Sequence, residues 1–169
     1  ARFRGNYYEQ EHGVGAVFRM VPDQIIPIEN LGVPPVVHSL AEIESGMVLV
    51  TGPTGSGKST TLAAIVDLIN RQHARHIVTI EEPIEHIHTR KKALVSQREV
   101  GLHLGSRVRG IQSALREDAD VIMIGNLSDP ETARLALEAA GSGRLVLAAM
   151  SAPSALPPSR RSCRPTPPS

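Results

Sequence analysis

Gly52-Pro53-Thr54-Gly55-Ser56-Gly57-Lys58-Ser59 sets three glycines, an ammonium and a hydroxyl within one turn. That spacing suits one kind of chemistry, the gripping of a phosphate chain. Successive backbone N–H groups must all turn toward one concavity, which residues without a Cβ clash tolerate best. The apolar run Met47 to Val50 enters the turn as a buried strand, and a helical pattern opens at Lys58-Ser59, the context in which a G-x-x-x-x-G-K-[ST] match carries weight. The helix adds its unpaired N–H groups and positive pole at the same point. Candidate phosphate-binding residues are thus Gly52, Pro53, Thr54, Gly55, Ser56, Gly57, Lys58, Ser59 and Thr60. Lys58 is expected to reach the β- and γ-phosphates and the Ser59 hydroxyl to coordinate Mg²⁺. The competing reading is a Gly-rich surface turn, against which the whole motif and both flanking elements argue. Binding of a purine triphosphate follows, but the loop does not choose among motor, kinase and GTPase.

The second chemical group is acidic. Glu81, Glu82 and Glu85 follow the β-branched strand His76 to Ile80, and in open α/β sheets ligands sit where strands end at their carboxyl side. A solvated acidic turn is the plainer alternative; the adjacent phosphate loop favours the functional one. Asp120 to Gly125 reads as the strand that carries a second nucleotide motif, whose next acidic residue holds metal or activates water. Here that residue is Asn126. His86 and His88 are spaced to point the same way along a strand, yet no Cys or carboxylate set completes a metal site, so they read as scattered polar histidines.

Positioning these groups requires an α/β fold with a mainly parallel sheet, preceded by the end of another domain. Residues 1–21 alternate polar and apolar around Gly5 and the Gly13-Val14-Gly15 turn, as a β-hairpin that ends a preceding domain. Residues 22–45 are a Pro/Ile-rich linker with a short amphipathic piece from Val36 to Ile43. Residues 46–150 alternate strands and helices. Leu62, Ile65, Val66 and Ile69 give the first helix its buried face, Lys91 to Val100 reads as a strand, and Ser106 to Glu117 is the second helix with Val108, Ile111, Ala114 and Leu115 inward. Ser128 and Glu131 have capping-box spacing for a third helix, with Asp129-Pro130 as the alternative start. It runs to Ala140, and Arg144 to Met150 is the last core strand; a sheet that stops there is expected to leave an apolar edge or face uncovered. Residues 151–169, rich in Pro, Ser and Arg, read as a disordered tail.

Bulk properties remove other classes. A net charge of +1 over 169 residues leaves no footprint for nucleic acid. One cysteine, Cys163, excludes an intrachain disulfide and suits a reducing cytosol. No apolar run approaches the roughly twenty residues that span a bilayer, so membrane association would come through partners.

The chain resembles the type II/type IV secretion ATPases, and within them the pilus-retraction or twitching-motility branch. The resemblance rests on Val50 to Leu62, on Thr79-Ile80-Glu81-Glu82-Pro83-Ile84-Glu85, on Ser96-Gln97-Arg98-Glu99-Val100-Gly101, on Ala114 to Asp118 and on Asp129-Pro130-Glu131-Thr132. It implies a RecA-like P-loop core preceded by the end of a small N-terminal α+β domain, ATP and Mg²⁺ as ligands, a cytoplasmic hexameric ring of like subunits, and an inner-membrane pilus platform protein as partner. It implies that Glu85 positions or activates water, with Glu81 and Glu82 assisting around Mg²⁺. It also implies that Arg4 and Arg19 close over the phosphates; as residues alone they read equally as exposed arginines on edge strands.

The chain departs from that pattern in places. Glu82 stands where the family has Asp, Asn126 where it has the glutamate of the second motif, Arg144 and Ser151 in place of two histidines, Ser128 in place of arginine and Arg107 in place of Phe. Gly110 inside a helix costs roughly 1 kcal/mol and adds to an impression of decay. Three functions follow as expectations: a hydrolysing retraction motor, a nucleotide-binding but hydrolysis-deficient paralogue or fragment, and, less well matched, a small-molecule P-loop kinase. The abrupt change of composition after Ala155 suggests an out-of-frame or truncated reading of a longer motor.

Overall fold

Strands that read as continuous apolar runs belong in the middle of a sheet covered on both faces. β4 (His76–Glu81), β6 (Val121–Ile124) and β7 (Leu145–Ser151) are buried along nearly their whole length. The computed structural model describes residues 2–21 and 24–152. In it these strands join β3 (Gly46–Gly52) and β5 (Leu94–Glu99) in one five-stranded parallel sheet, ordered β3-β7-β6-β4-β5.

The period of two divides the core. Ile77, Val121, Met123, Leu145, Leu147 and Ala149 face α1 (Lys58–Gln72) and meet Leu62, Ile65, Val66 and Ile69. Their neighbours Val78, Ile80, Ile122, Ile124, Val146 and Ala148 face α2 (Arg107–Arg116) and α3 (Pro130–Gly141). Each such aliphatic side chain taken out of water contributes about 1.5–3 kcal/mol. The stretch read as a linker is built into the α1 side: it forms 3₁₀ turns at Ile28–Asn30 and Pro35–Glu42, and Ile28 and Ala41 are fully buried against α1.

Several local expectations are corrected. The β1 (Arg2–Gln10) and β2 (Gly13–Val21) hairpin turns at Glu11-His12, because Gln10 pairs with Gly13; Gly13, Val14 and Gly15 lie inside β2. Two-residue turns match the twist of the flanking strands, and Gly13 supplies a φ of 112° next to the bend. Helix α3 is capped by Asp129, whose carboxylate accepts the Thr132 N–H at 2.8 Å and its hydroxyl at 2.7 Å, with Pro130 at the first helical position; Ser128 is not the cap. Replacing Asp129 with Ala is expected to cost about 1 kcal/mol, read as a shift of the urea midpoint at constant slope.

Gly110 is buried where α2 crosses β4, and a Cβ there would stand 2.8 Å from Leu104 Cδ1 and 3.1 Å from Ile80 Cδ1. Its missing side chain serves close helix-on-sheet packing rather than marking decay. The last strand itself is paired on both sides. β7 lies between β3 and β6, and the edges are β5 and β3, whose Leu49 is 46% exposed. Ser151, expected in the tail, ends β7 opposite Gly52; the disorder expected for the rest of the tail, beyond Ala152, falls outside the described residues.

Arg98 points to the α2 side and fastens β5 to the helix end, donating to both Glu117 oxygens at 2.8 and 2.6 Å. The guanidinium, with help from the Ser113 hydroxyl, holds the Glu117 carboxyl down at about 2. A carboxylate held below its unfolded value adds stability above that value and loses it as pH falls through the folded one. Unfolding midpoints should therefore drop between about pH 4.5 and 2, and more shallowly in Glu117→Gln.

Candidate nucleotide site

Residues 53–57 bridge the end of β3 and the start of α1 and are exposed. Gly55 and Gly57 have φ of 81° and 89°, the left-handed region in which an L side chain is strained. Gly57 is also the N-cap of α1 and offers no side chain to its amides. The first-turn N–H groups are thus left for an external acceptor, as an anion site at a helix start requires. Lys58 folds back over the loop, its Nζ donating to the carbonyls of Gly52 at 3.0 Å and Pro53 at 2.8 Å. The ammonium is held above the concavity by acceptors that a phosphate would replace. The Thr61 hydroxyl donates to the Gly57 carbonyl at 3.0 Å.

The ends of β4 and β6 face this loop. One cleft is lined by Ser59, Glu81, Glu82, Glu85, Arg107 and Asn126 among others. Gly125 keeps the two strand ends close: its N–H donates to the Ile80 carbonyl at 2.9 Å, and a Cβ there would lie 3.4 Å from Glu81 Cα. Asn126 is thereby carried beside the acidic group.

The three carboxylates occupy different environments. Glu81, the last residue of β4, is buried, and burial pushes its carboxyl above the usual range despite hydrogen bonds to Oε1 from the Thr79 hydroxyl at 2.7 Å and from Gln97 Nε2 at 3.1 Å. Glu82 is exposed and paired with Arg107 at 2.5 Å. Glu85 is exposed on the loop after Pro83.

That loop is held by β5, a contact that no residue spacing announces. Gln97 Nε2 also donates to the His86 carbonyl at 2.8 Å, and its Oε1 accepts the His88 N–H at 2.8 Å. Glu99 accepts the Ile84 N–H at 3.0 Å. Gln97 and Glu99 therefore point to the loop side of β5 while Arg98 points to α2, the alternation of a strand. His86 and His88 lie on this loop rather than on a strand. Both are buried, and burial lowers the His88 imidazole to about 4, so it is neutral near pH 7.

The hairpin brings in the remaining candidates. Arg4 and Arg19 are direct cross-strand partners, and both line a cavity of about 530 Å³ with Thr60 and Glu85. Like charges placed opposite each other destabilise a ribbon, and neither arginine has an ion-pair partner among the described residues. Arg144 is carried elsewhere. It precedes β7 at the far end of the sheet, where it pairs with Asp118 at 3.2 Å and donates to Ser142.

A parallel sheet with a glycine-lined turn, a lysine folded over it and acidic residues on the neighbouring strand ends is the P-loop arrangement of the α/β class. The chain belongs to the type II/IV secretion system protein family, which matches residues 11–161. It is 52% identical over 146 residues to a twitching motility protein of Neisseria gonorrhoeae, covering 86% of this chain and 39% of that one. It is 50% identical over 155 residues to the type IV pilus retraction ATPase PilT of Pseudomonas aeruginosa, covering 92% and 45%. Among solved structures, that of the pilus retraction motor PilT with bound ADP superposes with a TM-score of 0.86 at 45% identity, over 89% of this chain and 44% of that one. The chain thus spans less than half the length of these relatives. Among the described residues no helix is long and apolar enough to cross a membrane.

Proposed function

We propose that this chain binds Mg·ATP in the Gly52–Thr60 cradle and forms the nucleotide-binding part of a pilus-retraction motor. The observation that carries this reading is the Lys58 ammonium, poised on the Gly52 and Pro53 carbonyls at an uncapped helix start whose Ser59 shares one cleft with the acidic strand ends. In this reading Lys58 exchanges those carbonyls for β- and γ-phosphate oxygens, and the amides of residues 55–60 receive the phosphates. Arg4 and Arg19 close over the triphosphate from the hairpin, where an anion relieves their mutual repulsion.

The cradle fits a triphosphate by its positive-φ glycines and bare amides. No group of three or more His, Cys, Asp or Glu that could hold a metal occurs among the described residues, so a divalent ion would rely on Ser59, Glu82 and the phosphates themselves. Bound Mg²⁺ supplies charge neutralisation to the phosphate chain. Glu85 orients the attacking water. Glu81, its carboxyl raised by burial, is the better proton acceptor nearby. Assembly follows as a ring of like subunits in the cytoplasm, working against an inner-membrane platform protein.

One observation favours a narrower second reading, a subunit or fragment that binds nucleotide and turns it over poorly. Asn126 offers an amide where a carboxylate at the end of β6 would hold charge or take a proton. Steady-state ATP turnover, measured beside a fluorescent-nucleotide titration, separates the two. Tight binding with little turnover supports the second, substantial turnover the first, and absence of binding contradicts both.

A further inference from the structure

Arg107 stands where helix electrostatics gives it no reason to be. It is the first residue of α2, and the positive pole of a helix start disfavours a cation. Its partners lie outside the helix: Nη2 donates to Glu82 Oε2 at 2.5 Å and Nη1 to the Ser128 hydroxyl at 3.1 Å. Its side chain is 24% exposed and lines the same cleft as Ser59 and Asn126. The guanidinium thus bridges the loops after β4 and β6, and it neutralises one of the two exposed carboxylates that line the cleft.

From this geometry we infer that Arg107 is a resident counter-charge for Glu82, which lets the cradle accept a nucleoside diphosphate or triphosphate without a divalent ion. The inference rests on the reading of residues 52–60 as the nucleotide site. With Arg107 present the pair is neutral overall, and an incoming polyphosphate meets little repulsion from Glu82. Without it a bare carboxylate is left in the cleft that Ser59 also lines, and a bound divalent ion is then the direct counter-charge for it. Arg107 is a positioning and charge-compensating residue here, and it enters no bond-making step.

The test is a fluorescent-ADP titration of the full chain in excess EDTA and, separately, in excess Mg²⁺. Arg107→Gln should weaken Mg-free binding about tenfold while changing Mg-bound affinity by less than about threefold. Arg107→Lys should keep most of the Mg-free affinity. Glu82→Gln should tighten Mg-free binding, because an unpaired guanidinium then remains, and the double Glu82→Gln/Arg107→Gln variant should return to the parental value. Equal losses with and without Mg²⁺, no loss in either, or a double variant no better than Arg107→Gln would each overturn the inference. Should Arg107→Gln fail to fold, as judged by its melting curve, Glu82→Gln and Arg107→Lys still decide: no tightening of Mg-free binding in the first, or a loss in the second that is equal with and without Mg²⁺, overturns the inference. A parent chain that binds no ADP even with Mg²⁺ would overturn the underlying site reading and this inference with it, whereas parental binding insensitive to Arg107 overturns this inference alone.

Discussion

Asn126→Glu is expected to raise steady-state ATP turnover by about 10²–10⁴-fold, the range that a positioned acid or base contributes, with nucleotide affinity changed far less. Asn126 follows the Gly125 contact that draws β6 toward Glu81, so a carboxylate there would enter the cleft already lined by Ser59, Glu82 and Glu85. An amide can donate and accept hydrogen bonds but holds neither charge nor a labile proton at neutral pH. A fourth carboxylate in the cleft raises the local negative charge, and the Arg107 guanidinium, which already spans Glu82 and Ser128, is placed to absorb part of it. Phosphate release from excess Mg·ATP, compared between the parent and the variant, is the measurement. Parental turnover equal to that of the variant would show that hydrolysis here does not need a carboxylate at this strand end.

Lys58→Ala should weaken Mg·ATP binding roughly 100-fold, equivalent to ~2.7 kcal/mol, as loss of a charge-assisted contact to phosphate implies. Folding should change little. The Nζ contacts are to carbonyls at the end of β3 and in the exposed loop after it, and the buried face of α1 begins only at Leu62. A titration with the fluorescent nucleotide reads the affinity, and a melting curve separates it from unfolding. A variant that binds as well as the parent would remove Lys58 from the site.

The parts of the fold that follow from local periodicity were readable in the residues. Leu62, Ile65, Val66 and Ile69 mark α1 because one face of a helix recurs at 3.6, and the buried strands β4, β6 and β7 announce themselves as β-branched or aliphatic runs. The phosphate loop was readable because its chemistry constrains consecutive residues. What was not readable depends on separations of many residues. The order β3-β7-β6-β4-β5 places the phosphate-loop strand at an edge of the sheet, and nothing in the run of each strand says which neighbour it takes.

Gln97 shows the same limit within the site. Its role as a clamp appears only when the loop carrying His86 and His88 folds back across β5. Arg107 and Ser128 are 21 residues apart and, read singly, look like unrelated departures; in space they touch. Gly110 was misread for a related reason. Helix propensity is a local quantity, and the approach of α2 to Ile80 is not. The choice of Asp129 over Ser128 as the α3 cap was within reach, since Pro130 at the first helical position already favours it.

The most direct test of the central claim is a calorimetric titration of the folded chain with Mg·ATP, run beside Lys58→Ala. The cradle at residues 52–60 predicts saturable binding at one site per chain, lost in the variant. No binding heat from folded parent protein at several temperatures, or binding that Lys58→Ala leaves intact, would contradict it.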